Sequence, residues 1–193
     1  MKTFQSIPVP ESASGSLWLG SLPGVGESLE QCFALLRGAG VTELVCVAHR
    51  SQLRVLSPEY ALALEEKRVP FQVREFPVDP NGAPGDPAAF GAFALEVAGS
   101  VQSGGSVLVH GGETTARSSL LVIATLCGLG DPLAVAVERL AAFGFCPGNR
   151  AQWCVLSGLY GVDSNESPGP NPVPATSAEP PTGPLENSRP VAA

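Results

Sequence analysis

The chain has 193 residues, 44% of them hydrophobic, and a formal net charge of −7 at pH 7. That length carries one well-buried domain and little more. The negative charge argues against nucleic acid or an anionic membrane as partner, and the longest apolar run, Leu120 to Leu129, is interrupted at Cys127 and Gly128 and is too short to span a bilayer.

Met1 to Pro8 has no sustained apolar core and does not read as a signal peptide, so a cytoplasmic location is expected. Residues 1–13 read as an extended lead-in to a domain over residues 14–162. Ser16-Leu17-Trp18-Leu19-Gly20 is a short strand, and Leu29 to Gly38 a helix closed by Gly38 or Gly40. Glu43 to Val47 is a buried strand, followed by His49 and Arg50 in a loop. Arg50 and Arg54 are expected to be solvated loop charges rather than peptide contacts. Ser57-Pro58 gives a cap-then-proline start to a helix reaching about Lys67.

Phe71 to Val78 alternates as a strand, and Pro80-Asn81-Gly82 breaks it. Asp86-Pro87 repeats the helix-start signal for a helix to about Gln102. Ser106 to Val109 is a strand, and the helix from Arg117 to Leu126 is apolar nearly all round, as a central buried helix should be. Asp131-Pro132 starts another helix, stopped at Gly144, and Asn149 to Tyr160 is the last, closed by Gly161. Four strands alternating with about six helices predict an α/β layer fold with a mainly parallel sheet.

From Asp163 to Ala193 the composition is Ser, Pro, Gly, Asn and Glu, with four acids (Asp163, Glu166, Glu179, Glu186) against Arg189. Such a segment cannot bury enough surface to offset chain entropy, and a disordered tail is expected over residues 163–193. Five cysteines (Cys32, Cys46, Cys127, Cys146, Cys154) lie in mostly apolar contexts without C-x-x-C spacing. They read as buried reduced thiols, with no disulfide framework, metal site or cofactor expected.

The chemistry concentrates in Val107-Leu108-Val109-His110-Gly111-Gly112-Glu113-Thr114-Thr115-Ala116-Arg117-Ser118. An apolar strand enters a small polar turn, and an Arg-Ser pair opens a long apolar helix. Successive N–H groups of residues 112–118 in such a turn converge on one anion, and the following helix adds the positive end of its dipole. Arg117, in the first helical turn, presents a planar fork that grips two phosphate oxygens at once.

Gly111 stands six positions before Arg117, preceded by a histidine and with a serine after the arginine. This pattern resembles the His-Cys-(five residues)-Arg-Ser loop of the protein tyrosine and dual-specificity phosphatases, with Gly111 at the place of the nucleophilic cysteine. Leu17-Trp18-Leu19-Gly20-Ser21-Leu22-Pro23 resembles the opening strand and turn of the dual-specificity group. The resemblance implies a three-layer fold of the phosphotyrosine protein phosphatase II-like type over residues 14–162. It also implies roles: Asp79, 32 positions before Gly111 in Phe76-Pro77-Val78-Asp79-Pro80, at the general-acid position; His110 tying down the loop; Ser118 beside the nucleophile position. Asp86 reads better as a helix cap. The same spacing departs from the family at Thr114, where a glycine is usual, and Glu113 adds a carboxylate near the mouth.

Glycine has no side chain with which to attack phosphorus. Three functions remain open. The first is an inactive phosphatase-like protein binding phosphorylated or other protein partners through Gly112, Glu113, Thr114, Thr115, Ala116, Arg117 and Ser118. It parallels the phosphoserine/threonine/tyrosine-interacting pseudophosphatases, whose loop also carries glycine. The second is a hydrolase with residual or altered activity, using water helped by Glu113 or Asp79. The third is an interaction scaffold with no anion site. A protein or phosphopeptide partner and a monomeric state are expected.

Overall fold

The computed structural model describes residues 4–79, 82–112 and 116–161. A five-stranded sheet is formed by β1 (Phe4–Ile7), β2 (Ser16–Gly20), β3 (Glu43–Cys46), β4 (Gln72–Glu75) and β5 (Ser106–His110). The spatial order is β1-β2-β5-β3-β4, with β1 antiparallel to β2 and the other pairs parallel. Seven helices accompany it among the described residues: α1 (Leu29–Gly38), α2 (Arg50–Leu56), α3 (Pro58–Glu65), α4 (Pro87–Gln102), α5 (Ala116–Gly128), α6 (Leu133–Ala141) and α7 (Arg150–Tyr160).

The sheet order and the hand of parallel crossovers decide the layers. Steps from β2 to β3 and from β3 to β4 move the same way along the sheet, which puts α1 and α3 on one face. The step from β4 back to β5 reverses, so α4 lies on the other face. Strand alternation matches this split. Leu44, Cys46 and Leu108 pack with Phe33, Leu36 and Tyr60 under α1 and α3. Val45, Val47, Val107 and Val109 pack with Phe90, Val97, Leu120 and Ile123 under α4 and α5. The expected all-round burial of the helix after the loop holds: every residue from Arg117 to Leu126 is buried.

Boundaries follow local chemistry. Ser28 caps α1 by accepting from Gln31 N at 3.2 Å, and Asp86 caps α4 by accepting from Ala89 N at 2.9 Å. Gly38 is the last helical residue of α1, while Gly40, at φ +76°, makes the turn out of it. Gly161 closes α7 at φ 71°, a left-handed cap suited to glycine.

The structure differs from the sequence-based reading in four places. Phe4–Ile7 is an edge strand, not only a lead-in, because its Ile7 is buried beside Leu17. Arg50–Leu56 is a helix where a loop was expected. Its cap is His49, outside the usual capping set, and its Val55 is 80% exposed, so neither a cap nor an apolar stripe announces it. Asp131 caps nothing: its carboxylate binds Arg139 Nε at 2.7 Å while Pro132 precedes the first turn of α6. Cys154 is exposed, unlike the buried Cys32 and Cys46. The tail over residues 163–193 lies outside the described residues, and no described helix is long and apolar enough to cross a membrane.

One ion pair locks β4 to the centre. Glu43 on β3 is only 5% exposed, and its carboxylate accepts from Arg74 Nε. The same guanidinium donates to Ser100 Oγ at 3.1 Å and lies 5.6 Å from the Phe93 ring centre on α4. Replacing Arg74 by methionine keeps the apolar stem and strands a buried carboxylate. Urea unfolding at pH 7 is expected to show a loss of roughly 3 kcal/mol. A loss near zero would mean that Glu43 finds solvent or another partner.

Candidate functional site

β5 is the central strand of the five-stranded sheet, and its C-terminal end delivers His110 into the loop that precedes α5. Ligand crevices of open α/β sheets form at this end of the strands. His110 is fully buried, and its Nε2 shares a 3.0 Å hydrogen bond with Tyr60 Oη from α3. Burial pushes its pKa down to about 3 and holds the Tyr60 phenol protonated, so the imidazole is neutral at physiological pH. Its Nδ1 has no partner among the described residues. Gly111, which follows, is buried.

Arg117 enters from the first turn of α5 and is 2% exposed. Its Nη1 donates to Val78 O at 2.7 Å and to Gln52 Oε1 at 2.8 Å. The Gln52 carboxamide oxygen also accepts from His49 N at 3.3 Å, which ties the start of α2 to the arginine. These two acceptors use the two protons of Nη1 and fix the plane of the fork. Nη2 lies against Gly112 so closely that a Cβ there would come within 2.5 Å of it. Buried Nε has no partner among the described residues. Desolvation lowers the Arg117 pKa, with Cys46 and Asp79 acting in the opposite direction, and the group remains a cation. The site therefore holds an oriented guanidinium packed on the backbone of Gly112, with one donor that meets no acceptor among the described residues.

Ser118 is buried, and its Oγ has no partner among the described residues. Ala116 is half-buried at the start of α5. Glu113, Thr114 and Thr115 lie outside the described residues, as do Pro80 and Asn81.

Asp79 follows Val78, whose carbonyl holds Arg117, so its position brings it to the same rim. Its side chain is 75% exposed, and Oδ1 lies 3.1 Å from His49 Nε2. Asp79 O accepts from Gly82 N at 3.2 Å. Gly82 is held from a third element, α7: fully buried Gln152 donates from Nε2 to Gly82 O at 3.1 Å and accepts from Gly148 N at 2.7 Å. Gly148 in turn sits against Ala116, where a Cβ would come within 2.8 Å of the alanine's own. Hydrogen bonds thus hold Arg117 to Val78 and Gln152 to Gly82, and close packing sets Gly148 against the start of α5.

Arg50 and Arg54, read as solvated, are both engaged. Arg50 forks onto Glu75 at 2.6 and 2.5 Å, and Arg54 donates to Glu65 at 2.8 Å. His49 was expected in a loop at the strand-end rim and lies there beside Asp79, whereas Gln52, Tyr60 and Gln152 were not legible as site residues. These three act through tertiary contacts, and the helix-start spacings His49-x-x-Gln52 and Asn149-x-x-Gln152 are the signals that could have marked two of them.

Neither Cys46 nor Cys127 is poised as a nucleophile. Cys46 is the neighbour of His110 across β3 and β5, but burial pushes its pKa up to about 11. Cys127 is pushed up to about 12. Both are protonated thiols at neutral pH and weak nucleophiles. No group of His, Cys, Asp and Glu that suits a metal ion occurs among the described residues.

No family model matches the chain, and no curated protein sequence does. Solved structures do. A kinase associated phosphatase carrying serine in place of its catalytic-site cysteine is similar over 79% of this chain and 90% of its own, at 18% identity and a TM-score of 0.68. Human DUSP28 is similar over 81% of this chain and 93% of its own, at 24% identity and a TM-score of 0.57. Human tyrosine phosphatase-like serine/threonine/tyrosine-interacting protein is similar over 80% of this chain and 92% of its own, at 21% identity and a TM-score of 0.57. At these identities the likeness is one of fold. The chain has the protein tyrosine and dual-specificity phosphatase fold.

Proposed function

We propose that this chain is a catalytically inactive member of the phosphatase-fold proteins that binds phosphorylated segments of other proteins, acting as a cytoplasmic monomer. The observation that carries this reading is Arg117. A buried guanidinium is costly unless its donors are used. Here Nη1 is fixed by Val78 O and Gln52 while buried Nε donates to no described residue. A tetrahedral oxyanion seated on the loop would meet that donor and the N-terminus of α5 together. Gly111 at the loop's base offers no atom to attack phosphorus, so binding is not followed by transfer.

The test is calorimetric titration of the full chain with phosphotyrosine and phosphothreonine peptides, beside Arg117→Ala and Arg117→Lys. Saturable binding is expected, weakened about 10- to 100-fold by the alanine and less by the lysine, in line with loss of a charge-assisted hydrogen bond. Circular dichroism establishes that the variants are folded. Equal affinity in wild type and a folded alanine variant, or no saturable binding by the wild type, would overturn the reading.

A further inference from the structure

A groove of about 400 Å³ runs between α1 and α3, on the sheet face that carries Tyr60. Both helices carry the chain back between parallel strands on one face, so they run in the same direction, each starting at the strand end where the loop lies. The α1 wall is a single helical face, Leu29, Phe33 and Arg37, spaced four apart. It spans about 12 Å, the reach of about four extended residues. Ala63 faces it from α3.

Charge divides the groove lengthwise. Glu30 and Glu59, each in the first turn of its helix, stand at the end nearest the loop. Arg37, in the last turn of α1, and Arg68, beyond the end of α3, stand at the far end. Glu30, Glu59 and Arg37 enter no ion pair among the described residues, while Arg68 Nε is held by Glu66. The apolar floor is Phe33, whose ring centre lies 6.4 Å from that of Tyr60, and Tyr60 Oη is 3.0 Å from His110 Nε2. One side chain, Tyr60, therefore separates the groove floor from the strand residue that enters the anion loop.

We infer that the groove receives an extended protein segment whose charges run basic, apolar, acidic outward from its phosphorylated residue, an inference that rests on the phosphate-binding reading above for the position of the phosphoresidue. Basic side chains meet Glu30 and Glu59, an apolar one meets Phe33 and Ala63, and acidic ones reach Arg37 and Arg68. Opposite order would set like charges against each other at both ends and select against the segment.

Fluorescence anisotropy with dye-labelled peptides tests this. Two peptides of identical composition carry two lysines, a leucine and two glutamates after a threonine, in the order basic–apolar–acidic or the reverse, each with and without phosphate on the threonine. The full chain is expected to prefer the first order about tenfold, the combined effect of a few exposed ion pairs. The exposed double substitution Arg37→Glu with Arg68→Glu should abolish that preference while leaving the phosphate increment, and Glu30→Lys with Glu59→Lys should reduce the preference from the other end. Arg117→Ala should do the converse, removing the increment and keeping the preference. Equal binding of both orders, a preference that survives the arginine reversals, or no binding of any peptide would overturn the groove assignment. A preserved order preference with no phosphate increment would overturn the phosphate reading and leave the groove as the docking surface.

Discussion

A Gly111→Cys substitution is expected to turn this chain into a working phosphatase, hydrolysing p-nitrophenyl phosphate at least about 100-fold faster than the natural chain. The argument is one of parts. Phosphoryl transfer needs an oriented cation, donors for the equatorial oxygens, a proton source and a nucleophile. Arg117 is already held by Val78 O and Gln52 Oε1, and α5 begins at Ala116 directly after the loop. A thiol at position 111 would lie beside that cation and helix start, surroundings that lower a cysteine pKa well below its usual value. Neutral His110 directly precedes the place it would occupy. A Gly111→Ser chain serves as control, since an unactivated hydroxyl is a poor nucleophile. Adding Asp79→Asn to the cysteine variant should lower turnover about 100-fold if the exposed Asp79 protonates the leaving oxygen. A folded Gly111→Cys protein that binds phosphate and stays inactive would show that the loop does not present its anion in line with position 111.

The elements on either side of the loop were legible in the sequence because they are local. The strand Ser106–His110 and the buried helix beginning at Ala116 follow from an apolar run, a break and a second apolar run. Asp86 was separable from Asp79 because a long apolar helical run follows Pro87, whereas Pro80-Asn81-Gly82 follows Asp79, and Asp86 does cap α4. What escaped was everything that depends on two distant segments meeting. Gln52 touches Arg117 across 65 positions, Gln152 touches Gly82 across 70, and Tyr60 meets His110 across 50. No periodicity or cap encodes such pairs. Helix α2 escaped for a different reason, since its local sequence is a weak helix signal and its position is set by His49, Asp79 and Arg117 around it. The edge strand Phe4–Ile7 is defined only by its partner β2.

Acid should weaken the fold through His110 before it reaches the carboxylates. The folded chain holds this imidazole fully buried with a pKa pushed to about 3, against 6.5 for the exposed group. Below pH 6.5 the unfolded chain takes up a proton that the folded chain refuses, so stability falls as pH falls and is flat above about pH 7. One proton gives a slope of about 1.4 kcal/mol per pH unit, hence roughly 2–3 kcal/mol lost between pH 6.5 and 4.5. That is a large share of the stability of a domain this size. Urea midpoints across this range should fall steeply for the wild type and much less for His110→Gln, whose amide keeps a polar partner for Tyr60 without a titrating group. Parallel curves would mean that the imidazole is protonated in the folded state. The sign also bears on binding: a neutral His110 leaves Arg117 and the start of α5 as the positive features of the loop defined so far. Phosphopeptide affinity between pH 5 and 8 should then follow the ligand's own second ionisation, near pH 6, and tighten as pH rises. An affinity that instead strengthened toward acid would require a second cation formed at the site.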